Sequence, residues 1–196
     1  MAYTEKECSR AVQALLQPYC DDAYSHEVGG LGQWEGGKFK ARAGGTRTTP
    51  GFPDLTFYMR TPRNVTLTVE AKGSSTRVRP EQWLFAWHRM HRGDPHLIVR
   101  SPEALVAGLR FLGLLPDRLI GEPVLALPEN AAFLHATRTN MVLRHGWRLP
   151  KYATDMELQW GSRRRLVLPE HVPIMVQQAQ ARRARTMAIR RSRRRR

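Results

Sequence analysis

Asp54, Glu70 and Lys72 are the residues of this 196-residue chain with the most chemistry in their types and spacing. Glu70 and Lys72 stand two apart at the end of Val65-Thr66-Leu67-Thr68-Val69-Glu70-Ala71, whose strict apolar–polar alternation reads as a strand. Residues i and i+2 of a strand share a face, about 6–7 Å apart. Asp54 opens a second alternating run, Leu55-Thr56-Phe57-Tyr58-Met59, and points to the same polar side. Two carboxylates converging at the end of a sheet supply hard oxygen donors suited to Mg2+ or Mn2+. Such an ion polarises a phosphate and lowers the pKa of a bound water. Lys72 would offset the negative charge that develops, or orient the attacking water. Glu5 is a third candidate ligand. On a helix at about 100° per residue it falls within about 20° of Val12, inside the apolar stripe, whereas Glu7 lies about 140° away on the solvent side. A carboxylate on a core-facing stripe costs free energy unless it has a partner, and a cation would be one.

The elements that must position these groups are legible around them. Thr4 caps a helix over residues 4–19 in which Cys8, Ala11, Val12, Leu15, Leu16 and Tyr19 recur at helical spacing. Residues 21–37, with five glycines, read as a loop, and a short strand is expected over 38–42. In the hairpin that follows, Leu55, Phe57, Met59, Val65, Leu67, Val69 and Ala71 face the core, while Thr56, Tyr58, Thr66, Thr68, Glu70 and Lys72 face away from it; Thr61–Asn64 makes the turn. Pro80 opens a helix that packs Trp83, Leu84, Trp87 and Met90 and stops at Gly93. His96–Arg100 is a strand, and Ser101-Pro102-Glu103 starts a helix ending at Gly113. Residues 114–128 read as a linker, 130–145 as a helix, 157–168 as a hairpin and 170–191 as a helix fraying into arginines.

Taken in order, Gly51-Phe52-Pro53-Asp54, Val69-Glu70-Ala71-Lys72, Pro80-Glu81-Gln82 and Val99-Arg100-Ser101-Pro102-Glu103 resemble the PD-(D/E)XK nuclease superfamily, most closely its VRR-NUC branch. The resemblance covers residues 1–112. It implies a restriction-endonuclease-like αβββαβ core with a mixed sheet flanked by helices. It also implies Asp54 and Glu70 as metal ligands, Lys72 as the catalytic lysine, Gln82 as a supporting helix residue and Glu5 as the first-helix acid. Arg79 departs from the pattern, standing where such proteins often carry a helix-capping serine. Stand-alone chains of this kind resemble phage or bacterial structure-specific nucleases, Holliday-junction resolvases among them, and symmetric cutting of two strands would call for a homodimer.

Charge points the same way. Lys and Arg number 32 against 17 Asp and Glu, a formal +15; residues 171–196 hold nine arginines and no acid, leaving +6 on residues 1–170. A polyanion is the expected partner, and an arginine run this dense should not fold alone. Lys38, Lys40, Arg42, Arg47, Arg77 and Arg79 flank the proposed site, and Arg182, Arg183 and Arg185 belong to the tail; all are candidate phosphate contacts. His88 and His91, three apart, find no third metal ligand, and Trp83 and Trp87 read as core. No apolar run of 18 residues, basic–apolar leader, CxxC pair, Walker A loop, GxSxG, dinucleotide fingerprint or HExxH is present. The expectation is therefore a cytoplasmic, Mg2+- or Mn2+-dependent endonuclease acting on double-stranded or branched DNA, without a small-molecule cofactor. It would comprise a nuclease core (1–112), an extension of unassigned role (113–170) and a basic tail (171–196). The alternative is a non-catalytic basic DNA-binding or architectural protein on the same fold.

Overall fold

The computed structural model describes residues 2–25, 32–35, 38–41, 51–60, 65–116, 119, 126–154 and 167–194, with 32–35, 38–41 and 191–194 as backbone. Its elements are α1 (Glu5–Leu16), a 3-10 turn (Gln17–Tyr19), β1 (Cys20–Ser25), β2 (Gly32–Glu35), β3 (Lys38–Ala41), β4 (Leu55–Met59), β5 (Val65–Ala71), α2 (Pro80–Arg92), β6 (His96–Val99), α3 (Pro102–Leu112), α4 (Ala131–His145), α5 (Lys151–Thr154) and α6 (Val172–Arg194). The strands form one mixed six-stranded sheet in the order β3-β2-β1-β4-β5-β6. The expected hairpin is there: β4 and β5 pair antiparallel with Leu55 opposite Val69 and Met59 opposite Val65. β6 joins β5 in parallel, Val69 opposite Leu97, with α2 as the crossover that a parallel connection requires.

Both faces of the sheet carry helices. On one, Leu55, Phe57, Leu67, Val69, Leu97 and Val99 pack against Cys8, Val12 and Leu16 of α1 and Leu105, Leu109 and Leu112 of α3. On the other, Trp83, Ala86 and Met90 of α2 pack with Ile98, Phe133 of α4 and Val172 of α6. The polar side of β5 is therefore not turned to water as the alternation suggests. Thr68, Glu70 and Lys72 are buried, because α2 lies over that face and α1 over its end.

The helix ends follow their local chemistry. Thr4 and Glu7 form a reciprocal capping box on α1. Ser101 caps α3 through the Ala104 N–H, and Gly93 and Gly113 end α2 and α3 in the left-handed conformation. Residues 128–130 close the β6 edge. The Ile98 N–H donates to Asn130 Oδ1 at 2.9 Å, Asn130 Nδ2 donates to the His96 carbonyl at 2.9 Å, and the Glu129 N–H donates to the Ile98 carbonyl at 2.7 Å. A side-chain amide thus does there what a seventh strand would do, and no edge is left open at β6.

The expectation for residues 21–37 is corrected: they are not a loop throughout, since β1 lies at their start and β2 within them. The expected strand near 38–42 forms as β3 and pairs with β2 at the far edge of the sheet, while β1 lies beside the hairpin. A register shift between Cys20 and Asp22 breaks the alternation that would have announced β1. Five strands, not the expected three, precede α2: the order is α1, β1 to β5, α2, β6, α3, a mixed α/β sheet flanked by helices. The turn 61–64 and the expected hairpin 157–168, save its last two residues, lie outside the described residues.

Candidate metal centre

Glu5, Asp54 and Glu70 come together: one carboxylate oxygen from each lies within 4.8 Å of the others. Three elements deliver them. Glu70 is the penultimate residue of β5, Asp54 immediately precedes β4, and Glu5 is the first residue of α1. Asp54 is fixed by the Ala71 N–H, which donates to its Oδ2 at 3.0 Å across the hairpin. The turn before it is held against α2. Gly51 has φ +92°, and a Cβ there would fall 2.5 Å from the Glu81 carbonyl oxygen, so only glycine permits the approach. Glu5 is held over the end of β5 by backbone, the Ser74 N–H donating to the Tyr3 carbonyl at 3.0 Å, while the Lys72 N–H donates to the Val99 carbonyl at 2.8 Å and ties that end of β5 to β6.

Lys72 bridges the acids. Its Nζ lies 2.5 Å from Glu70 Oε1 and 3.2 Å from Glu5 Oε1. Gln82, one turn into α2, donates from Nε2 to Glu70 Oε1 and accepts the Arg79 N–H on Oε1 at 2.8 Å. It thereby ties the helix start to the ligand, although Arg79 itself offers no capping hydroxyl. Sequence reasoning overlooked Arg100, whose Nη1 donates to the Gly73 carbonyl while its Nε meets Glu129 Oε1 at 2.8 Å. That pair braces the loop beneath Glu5. Its signal in the sequence was the arginine directly after β6, but the partner Glu129 lies 29 residues away.

Electrostatics make the cluster expensive in the free protein. Burial pushes the Glu70 carboxyl up to about 8, the Asp54 charge adds to the rise, and Lys72 offsets part of it. Asp54 is raised too, by burial first, with Lys72 opposing and Glu5 adding. Burial alone would lower the Lys72 ammonium, but Glu70, Asp54 and Glu5 outweigh it and hold the group charged. Glu70 Oε2 is buried without a hydrogen-bond partner among the described residues. An unsatisfied oxygen, three hard donors within 4.8 Å and carboxyls held above their ordinary range are what a divalent cation would relieve. The residues present therefore fit such an ion, with Glu5, Asp54 and Glu70 as its holders.

The basic candidates divide. Arg77 and Arg79 are exposed in the approach to α2. Lys38 and Lys40 lie on β3, whose side chains are not described, and Arg42 and Arg47 lie outside the described residues. Arg182, Arg183 and Arg185 are exposed on α6, and Arg183 Nη1 lies 2.6 Å from Glu81 Oε1. The dense arginine run is thus helical to Arg194, supported at its base by Val172, Met175 and Val176 against the α2 cluster. His88 and His91 are exposed beside Trp87 and join no group of potential ligands among the described residues. No helix among the described residues is long and apolar enough to cross a membrane. The chain matches no protein-family model, no curated protein and no solved structure.

Proposed function

We propose that this chain is a divalent-metal-dependent endonuclease that hydrolyses phosphodiester bonds of DNA, a PD-(D/E)XK-type enzyme on a restriction-endonuclease-like sheet. The observation that carries the reading is the convergence of Glu5, Asp54 and Glu70 around the Lys72 ammonium. A bound Mg2+ or Mn2+ would supply Lewis-acid polarisation of the scissile phosphate and a more acidic water. The chain's own groups do the remainder. Asp54 and Glu70 are preorganised by the Ala71 N–H and by Gln82, so they need no rearrangement to accept a ligand. Lys72, held charged among three carboxylates, places a positive donor where negative charge develops on phosphate oxygen. Burial of Glu70 and Lys72 limits competition from bulk water.

DNA is favoured over a small phosphodiester by the arginines of α6. Glu81, which pairs with Arg183, is the immediate neighbour of Gln82, so the middle of α6, where its arginines begin, lies beside the residue that holds Glu70.

The test is cleavage of linear, flapped, branched and single-stranded DNA with Mg2+ or Mn2+ and with EDTA, for wild type, Asp54→Ala and Lys72→Ala. Metal-dependent cutting that falls at least a hundredfold in both variants is expected. Absence of cutting on every substrate, together with tight salt-sensitive binding, would leave a non-catalytic DNA-binding protein.

A further inference from the structure

The face of the sheet that carries Glu70 is covered unevenly. Over β5 and β6 it is closed by α2, but on β4 the same face presents Tyr58, 44% exposed. The pairing fixes this. Tyr58 lies opposite Thr66, and Tyr24 opposite Thr56, so both tyrosines project from the side to which Thr68 and Glu70 belong. Their rings meet edge to face, centroids 5.7 Å apart at 85°. Each ring is therefore held in place by the other, and the ordering cost on contact with a further flat group is small. Tyr58 stands four residues along β4 from Asp54, about 13 Å at strand rise. That is about four stacked nucleotides at 3.4 Å each, fewer when the strand is extended. On the other side of Asp54, Phe52 is 43% exposed, its ring 5.9 Å from that of Phe85.

We infer that Tyr58, buttressed by Tyr24, is a stacking shelf for an unpaired nucleobase on the strand whose phosphate enters the acidic site, so that the enzyme takes DNA with unstacked bases beside the cut. This rests on the nuclease reading for the placement of the phosphate, and it deepens that reading by naming the substrate feature. An aromatic face suits any base and a phenol keeps one edge wet, whereas in a continuous duplex every base face is already occupied. The polyanion that the basic surface attracts is thereby required to open near the site. Asp22 is exposed and lies directly opposite Tyr58 in the β1–β4 register, and the neighbouring Asp21 is paired with Arg60 at the end of β4.

The experiment measures binding of full-length Lys72→Ala chain to DNA in which 2-aminopurine occupies each of five unpaired positions beside a duplex junction, and to the fully paired control. The chain carries tyrosines as wild type, Tyr58→Leu, Tyr58→Phe or Tyr24→Leu. Expected are a change in 2-aminopurine emission at one or two adjacent positions only, and a preference for the unpaired over the paired DNA that falls about tenfold or more in Tyr58→Leu. Tyr58→Phe should retain both, and Tyr24→Leu should weaken both. An emission profile and preference unchanged in Tyr58→Leu would overturn the shelf. Cutting need not occur for this readout, so a wild type that binds with the expected profile yet cleaves nothing would sink the nuclease reading alone. Metal-dependent cutting with an unchanged Tyr58→Leu profile would sink the shelf alone.

Discussion

Raising the pH from 6.5 to 8 in EDTA should destabilise this protein, and Glu70→Gln should remove that loss. The Glu70 carboxyl titrates at 4.5 when unconstrained and at about 8 in the fold, where burial and the Asp54 charge disfavour ionisation. Between those values the folded chain holds one proton more than the unfolded chain. Stability therefore falls as pH rises, by about 1.4 kcal/mol per unit for one proton. Asp54, also raised, acts in the same sense from its lower starting value. His96 acts in the opposite sense. Burial first, then Arg89, hold it down at about 3 against an ordinary 6.5, so from 6.5 downward the unfolded chain gains the extra proton and stability falls with falling pH. Just above 6.5 the unfolded His96 is still losing its proton, which offsets a small part of the loss that Glu70 dominates and Asp54 reinforces. The loss from 6.5 to 8 is then about 1–2 kcal/mol, which for a chain of this size is about 2–8 °C in Tm.

The assay is thermal unfolding by circular dichroism at half-unit pH steps, with EDTA and with Mg2+ or Mn2+. Saturating metal at a hundred times its Kd adds about 2.7 kcal/mol. Because the ion requires the ionised carboxylate, its effect should be larger at pH 8 than at pH 6.5, and binding should release protons. Glu70→Gln keeps the Gln82 contact in part, loses the carboxylate and should show neither the slope nor the metal response. A Tm in EDTA that is level or rising between pH 6.5 and 8, or a slope that survives in Glu70→Gln, would refute the assignment of the buried charge to Glu70.

Other perturbations separate structure from chemistry. Gly51→Ala places a Cβ 2.5 Å from the Glu81 carbonyl at φ +92° and should cost about 2–4 kcal/mol in urea unfolding, with metal affinity falling as Asp54 shifts. Asn130→Ala strands the Ile98 N–H and the His96 carbonyl at a buried edge and should cost about 2–4 kcal/mol by the same measurement. Converting Arg182, Arg183 and Arg185 together to Gln should move the melting point little, since Arg183–Glu81 is a largely exposed pair worth about 0–1 kcal/mol. The same change should reduce the slope of log K against log salt for duplex binding by about 2–3, read by fluorescence anisotropy between 50 and 200 mM salt, conditions chosen to span the usual range.

The parts of the fold legible in the sequence are those whose signal is local. Thr4, Ser101, Pro80, Gly93 and Gly113 mark helix ends by backbone chemistry that acts within one turn, and the structure has them there. The Leu55–Met59 and Val65–Ala71 alternation is likewise local, and the pair forms as expected. What failed to show was long-range. β1 is polar, irregular at Cys20–Asp22, and a strand only because β4 offers it an edge. The closing of β6 depends on Asn130, 32 residues beyond Ile98. The arginine helix depends on Val172, Met175 and Val176 finding the Trp83 cluster. In the site, Asp54, Glu70 and Lys72 were visible by spacing, and Glu5 by its place on the wrong face of α1. The bracing by Arg100 and Glu129 joins segments that no periodicity links.

The least expected feature explains the most. Alternation placed Glu70 and Lys72 on the side away from the core, yet both are almost wholly buried beneath α2 and the start of α1. An exposed Glu–Lys pair two apart on a strand would contribute at most about 1 kcal/mol and would need no third carboxylate. Here the chain instead gathers Glu5 and Asp54 onto the same ammonium and leaves Glu70 Oε2 without a donor among the described residues, an arrangement that costs stability in the free protein. Removing Lys72 should therefore do more than weaken one ion pair. Three carboxyls would face one another in a site of low polarity, and Asp54 and Glu70 would hold their protons to higher pH than now. The ammonium also repels a divalent cation directly, so its removal should raise Mn2+ affinity where the acids are ionised, near pH 9, and make affinity fall more steeply as pH drops toward 6.5, measured by calorimetric titration of Mn2+ into wild type and Lys72→Met. A pH dependence equal to wild type would mean that the ammonium is a bystander to the acids, and that their burial has a purely structural origin.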